Sequence, residues 1–206
     1  MFNPESLCGH QRFALSGSPS TCALDVVIVP IPSILFILGS GVILLKSGRS
    51  LWHPQVAGGL PKWLHILYAA LVFAAFGMGV LEIARDIAAD FGVGLLPIDL
   101  IAVAFAFLLL AVKGRRRSST ISLLLVVYWA LYAIVAVVKV ARLHLLETEN
   151  PTTMKNSNYP SSDLFLDNAV MLGLYISFTI FEMTQLFLVR GIEDKVIKFG
   201  AIPTKV

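Results

Sequence analysis

Charge is scarce in this chain: Asp, Glu, Lys and Arg make up 14% of its 206 residues, against 57% that are hydrophobic. A water-soluble domain of this size cannot hide so much apolar side chain, so a soluble globular fold is excluded and lipid must be part of the solvent. The formal net charge of +3 then suits cytosolic loops facing anionic headgroups. It does not suit nucleic acid, because no basic patch is interleaved with aromatics.

Cysteine is scarcer still, with only Cys8 and Cys22, both in the polar N-terminal stretch. The four histidines, His10, His53, His65 and His144, form no His-Glu-x-x-His or other close pair, so no metal-ligand spacing is present. No Gly-x-x-x-x-Gly-Lys-Ser/Thr loop occurs, and the chain cannot by itself hold ATP in the P-loop manner. Ser16, Gly17, Ser18 and Pro19 almost spell a serine-hydrolase elbow, but the pattern fails. The expectation is a non-enzymatic chain with no cofactor and no metal. An h-region is missing too: the first 25 residues include Glu5, His10, Gln11, Arg12 and Asp25, so the first apolar run serves as an uncleaved signal anchor.

Five runs approach the ~20 mainly apolar residues that a spanning helix needs: Val26 to Leu45, Trp63 to Leu81, Leu95 to Val112, Ile121 to Val138 and Ala169 to Val189. Pro30 and Pro32 fall in the first turns of the first run, where a missing backbone donor costs least. The polar segments are Lys46 to Lys62, Glu82 to Gly94, Lys113 to Thr120 and Lys139 to Asn168. Alternate segments carry eleven Lys and Arg on one side against five on the other. The fold expected is therefore all-α, a five-helix membrane bundle with the N-terminus outside and the C-terminus cytoplasmic.

That orientation puts Cys8 and Cys22 in the oxidising compartment, where they read as a disulfide; two unpaired thiols are the alternative. The stretch from Asn150 to Ser162 is polar and turn-rich and reads as a mobile external loop. Four ionisable groups lie in or at the ends of the runs: Glu82, Asp99, Lys139 and Glu182. The first three should share the outer side, with Lys139 bridged to Glu82 or Asp99. Glu182 stands about 20 Å along the last helix at 1.5 Å per residue, in the inner half, within reach of Tyr128 or Trp129. Ala70, Ala74 and Gly77 line one face of the second run, a pattern that usually packs inside a bundle. Trp52, Trp63, Tyr68 and Tyr128 read as anchors at the inner headgroups.

The order of these features resembles a known family. A short external segment with two cysteines precedes a helix opening Val29-Pro30-Ile31-Pro32. The second helix ends Leu81-Glu82-Ile83-Ala84-Arg85-Asp86-Ile87. The fourth carries Val126-Val127-Tyr128-Trp129-Ala130-Leu131 before Lys139 and Arg142. Together they resemble the N-terminal accessory membrane domain, TMD0, of ABCC-type ABC transporters, the multidrug-resistance-associated proteins and sulfonylurea receptors. The resemblance implies an external segment over 1–25, a membrane domain over 26–189, and a cytoplasmic tail over 190–206 that begins a lasso linker. It also implies trafficking, membrane retention and docking to the rest of a transporter or to another membrane protein, in a plasma or vacuolar membrane. Transport itself would fall to domains this chain lacks. Lys113, Arg115, Arg116 and Arg117 are the expected inner-face contacts for anionic lipid or a partner. The competing reading is a small carrier or channel whose path is lined by Glu82, Asp99, Lys139 and Glu182.

Overall fold

The computed structural model of the chain describes residues 28–47, 61–88, 95–113, 119–149 and 161–200. Five helices account for nearly all of them: α1 (Ile31–Ser47), α2 (Lys62–Ala88), α3 (Leu96–Lys113), α4 (Ser119–Glu149) and α5 (Ser161–Gly200). Among the described residues there is no strand. Three stretches, Lys62–Arg85, Ser119–Leu145 and Phe165–Leu188, are long and apolar enough to cross a membrane, whereas Ile31–Ile43 and Leu96–Ala111 are shorter apolar stretches. The 17 residues of α1 and 18 of α3 stop short of the ~20 that a hydrocarbon core of about 30 Å asks for.

Proline sets the helix starts. Pro30 accepts from the Ile34 N–H at 3.0 Å, and Pro61 from Leu64 and His65 at 3.0 and 3.3 Å. A proline at a helix start loses no intrahelical donor, so these ends are fixed cheaply. At the other ends the helices outrun the apolar runs. α2 carries on through Glu82 and Arg85, and α4 through Lys139 and Arg142. The polar segments expected after Leu81 and Val138 thus begin as helix, because good helix formers such as Glu, Arg, Lys and Leu keep the backbone bonds running past the apolar boundary.

α4 and α5 make the most extensive helix pair, followed by α2 with α3. The α4–α5 pair is antiparallel: Trp129 packs on Phe178, Tyr132 on Tyr175, and His144 on Phe165, with ring centroids 4.9, 4.9 and 5.9 Å apart. The core is strongly aromatic. Phe36 stacks on Tyr128 at 4.1 Å, Tyr128 tilts against Trp129 at 4.6 Å, and Tyr68 stacks on Phe181 at 5.5 Å. Leucine, isoleucine and valine instead populate the exterior, as at Leu35, Leu38, Ile134 and Ile180. Hydroxyls on the helices are satisfied locally: Ser40, Ser177, Thr179 and Thr184 each donate to the carbonyl one turn back, at 2.6 to 2.8 Å. That is the solution an apolar solvent demands, since it offers no competing partner.

Two expectations are overturned. Tyr68 and Tyr128 are buried in the core and do not face outward as anchoring rings would; Trp63 alone of the described anchors is exposed. Trp52 lies outside the described residues. The Ala70, Ala74 and Gly77 face points away from the bundle, all three residues being exposed. A Cβ added at Gly77 meets nothing within 4 Å. The close approach is made at Gly79 instead, where an added Cβ would lie 2.9 Å from Leu100 Cδ2 of α3. Substituting Gly79→Val is expected to cost about 1 kcal/mol, the low end for overpacking, because only the far end of the Leu100 side chain has to give way. Gly77→Ala should raise the unfolding midpoint slightly, because the added methyl meets nothing and Ala is the better helix former, and thermal melts of both variants in detergent check the contrast.

Candidate functional site

The ionisable side chains gather into three groups, each linking different helices. The first surrounds a cavity of about 60 Å³ to which α2, α3, α4 and α5 all contribute walls, with Val29 closing it from just ahead of α1. Glu82 of α2, Asp99 of α3, Tyr132 and Lys139 of α4, and Asn168 and Tyr175 of α5 all line it. Lys139 Nζ donates to Glu82 in an ion pair, with Lys139 the better buried of the two. Of the two carboxylates the sequence offers Lys139, the structure thus pairs it with Glu82. Asp99 is close enough to feel the Lys139 charge, and it lies within hydrogen-bonding reach of Ser33 and Tyr132. Those two hydroxyls are bonded to each other at 2.8 Å. Asp99 Oδ1 is buried and has no hydrogen-bond partner among the described residues. At about 10–15 Å³ per molecule the cavity has room for several waters, which would supply the missing donors. Asp99 also occupies the first turn of α3, where a carboxylate is favoured by the unsatisfied N–H groups of the helix start.

Glu182 stands apart from that cavity. It is fully buried, and the Tyr68 hydroxyl of α2 lies within hydrogen-bonding reach of it. Tyr68 in turn accepts from Trp129 Nε1 of α4 at 2.9 Å. Trp129, Tyr68 and Glu182 thus form a relay joining α4, α2 and α5. A carboxylate so deep in apolar surroundings is tolerable only with such partners.

A third group lies at the end of the bundle where α2 and α4 finish and α5 begins. Arg85 of α2 is ion-paired with Asp167 of α5, both about one-third exposed. An exposed pair of this kind contributes little to stability but fixes which helix ends are neighbours. Arg142 of α4 is buried.

Lys113 closes α3. Arg115, Arg116, Arg117, Cys8 and Cys22 lie outside the described residues, as does the stretch 150–160; Ser161 and Ser162 already belong to α5. Among the described residues, no group of three or more His, Cys, Asp or Glu side chains is placed to hold a metal ion. The sequence reading passed over Ser33, Tyr132, Asn168 and the Arg85–Asp167 pair. A signal for Tyr132 was available, since Tyr128, Trp129 and Tyr132 fall on one helical face and Tyr175, Phe178 and Glu182 repeat at helical spacing on another. Compared with models of protein families, with characterised proteins and with solved structures, the chain matches none.

Proposed function

We propose that this chain is a non-catalytic five-span membrane domain, N-terminus outside and C-terminus cytoplasmic, of the TMD0 kind found in ABCC-type ABC transporters. On this reading it serves trafficking, retention and docking in a plasma or vacuolar membrane, and it carries no substrate itself. One observation carries the choice of docking over conduction. The ionisable groups are engaged in separate links between helices and do not share a path: Glu82, Asp99 and Lys139 line the cavity, while Glu182 belongs to the Tyr68 relay. Where the two groups meet, Tyr175 of the cavity wall stacks on Trp129 of the relay, with the buried rings of Tyr128 and Phe178 packed around them. The outward-facing Ala70, Ala74 and Gly77 ridge adds support, because small residues let a partner helix approach closely in lipid. The basic segment Lys113 to Arg117 suits anionic lipid or a partner at the inner face.

The carrier reading has one observation in its favour, the unpartnered Asp99 oxygen beside a cavity. Flux through liposomes holding the purified chain separates the two. Docking predicts ion and proton leak no greater than that of protein-free liposomes, and unchanged when Glu82, Asp99 and Glu182 become amides and Lys139 becomes Met. A leak above that level, abolished by the four substitutions, would replace docking with transport. Blotting the native polypeptide with an antibody to the N-terminal segment tests the transporter link: a band far above 22.4 kDa fits the front domain of a transporter, and a band at that size fits a free-standing docking protein.

A further inference from the structure

Arg142 belongs to none of the links above. It is 7% exposed, and neither Nε nor Nη2 has a hydrogen-bond partner among the described residues. Those two groups form one edge of the guanidinium, the edge that takes two oxygens of a carboxylate or phosphate side by side. Arginine cannot shed its proton to escape burial, so a sealed guanidinium with an empty edge calls for an anion.

The described carboxylates nearest in the fold do not supply it. Glu82 is engaged by Lys139, and Asp167 by Arg85. Asp99 belongs at the level of Tyr132, about 15 Å down the α4 axis from Arg142. The α4–α5 register given by the His144–Phe165 and Tyr132–Tyr175 contacts sets Arg142 level with the turn that carries Asp167, at the end of the bundle. Depth indicates the kind of anion. Measured from the middle of the span Ser119–Leu145, Arg142 stands about 15 Å along the helix, at the ~15 Å half-thickness of a hydrocarbon core, where the headgroup region begins.

We infer that Arg142 is a phosphate-binding site whose occupant is the headgroup phosphate of a phospholipid reaching in beside α4. The inference rests on the membrane embedding proposed above, but not on docking or on the transporter link. An oxygen pair from phosphate fills both donors of the edge in the side-by-side geometry and brings the negative charge that a water lacks.

The test uses the whole chain, delipidated in maltoside micelles, with thermal midpoints followed by tryptophan fluorescence. Short-chain phosphatidylglycerol is expected to raise the midpoint saturably, and short-chain diacylglycerol, which lacks the phosphate, is not. Arg142→Gln should weaken the apparent affinity about tenfold. Arg142→Lys, which keeps the charge and loses the two-donor edge, should weaken it nearly as much, and it decides the matter if the glutamine variant does not accumulate. Arg85→Gln should leave the affinity unchanged. Without lipid, Arg142→Gln should melt no lower than wild type, because there the guanidinium is a buried charge without its anion; an arginine with a purely structural role predicts the reverse. Inorganic phosphate acting as strongly as the lipid would keep the site and make free phosphate its occupant. No saturable shift in the wild type, or an equal shift in Arg142→Gln, would overturn the site.

Discussion

Replacing Lys139 with alanine is expected to destabilise the bundle by about 2 kcal/mol, while Glu82→Gln should cost only about half as much. The asymmetry follows from what each substitution leaves behind. Lys139 is the cation facing both carboxylates of the cavity: it pairs with Glu82 and acts on Asp99 through space. Without it, two acidic groups share the cavity with no compensating charge. Without the Glu82 charge, Lys139 still faces Asp99, and a neutral amide still accepts a hydrogen bond. Removing one member of a fully buried pair costs about 3–5 kcal/mol. The lower figure here reflects the 30% exposure of the Glu82 side chain, against 12% for Lys139, and the room the cavity gives to water. The double variant Lys139→Ala with Glu82→Gln should be more stable than the sum of the two single losses predicts, since the second change removes the charge the first one stranded. Unfolding in mixed micelles titrated with dodecyl sulfate measures all three. A Lys139→Ala variant as stable as wild type would mean that water, and not Lys139, compensates these carboxylates.

How much of this was legible beforehand depended on the period of the signal. Helices were legible because mainly apolar runs of 18 or more residues leave backbone groups no partner but one another. Their ends were not, because the hydropathy boundary at Leu81 or Val138 marks where the solvent changes and not where hydrogen bonding stops. Glu82, Asp99 and Lys139 could be grouped from depth alone, since antiparallel helices bring the end of one beside the start of the next. Which carboxylate would take the lysine depends on helix rotation, and that is set by packing on other helices. The same ignorance of rotation explains the misreading of Tyr68 and of the Ala70, Ala74 and Gly77 face. A tyrosine near a helix end suits a headgroup boundary and a core equally well by composition, and only the neighbouring Phe178 and Phe181 make it a core residue. Small residues permit close approach without requiring it. Gly79, two positions on from Gly77 and so on another face, is where α3 comes near.

Trp129→Ala is expected to produce the largest loss of any single substitution, about 4 kcal/mol, the upper part of the range for deleting a fully buried aromatic. Trp129 has no exposed surface, and its ring packs against Tyr128, Tyr175 and Phe178 at 4.6, 5.9 and 4.9 Å. In lipid these contacts are not driven by water, so their loss is felt as lost dispersion and as a void that Leu, Ile or Val from the exterior cannot reach to fill. A second component is polar. The indole N–H donates to Tyr68, which is then oriented toward Glu182. Two further variants separate the components. Tyr68→Phe keeps the ring packing and removes the hydroxyl, leaving the indole without its acceptor and Glu182 without that donor, and should cost about 2 kcal/mol. Adding Glu182→Leu to Tyr68→Phe should recover part of that loss, because an apolar pair strands no carboxylate in the core. If Tyr68→Phe costs as much as Trp129→Ala, the relay and not the aromatic packing holds α2, α4 and α5 together. If it costs nothing, Glu182 is satisfied by other partners and Tyr68 serves the core through its ring alone.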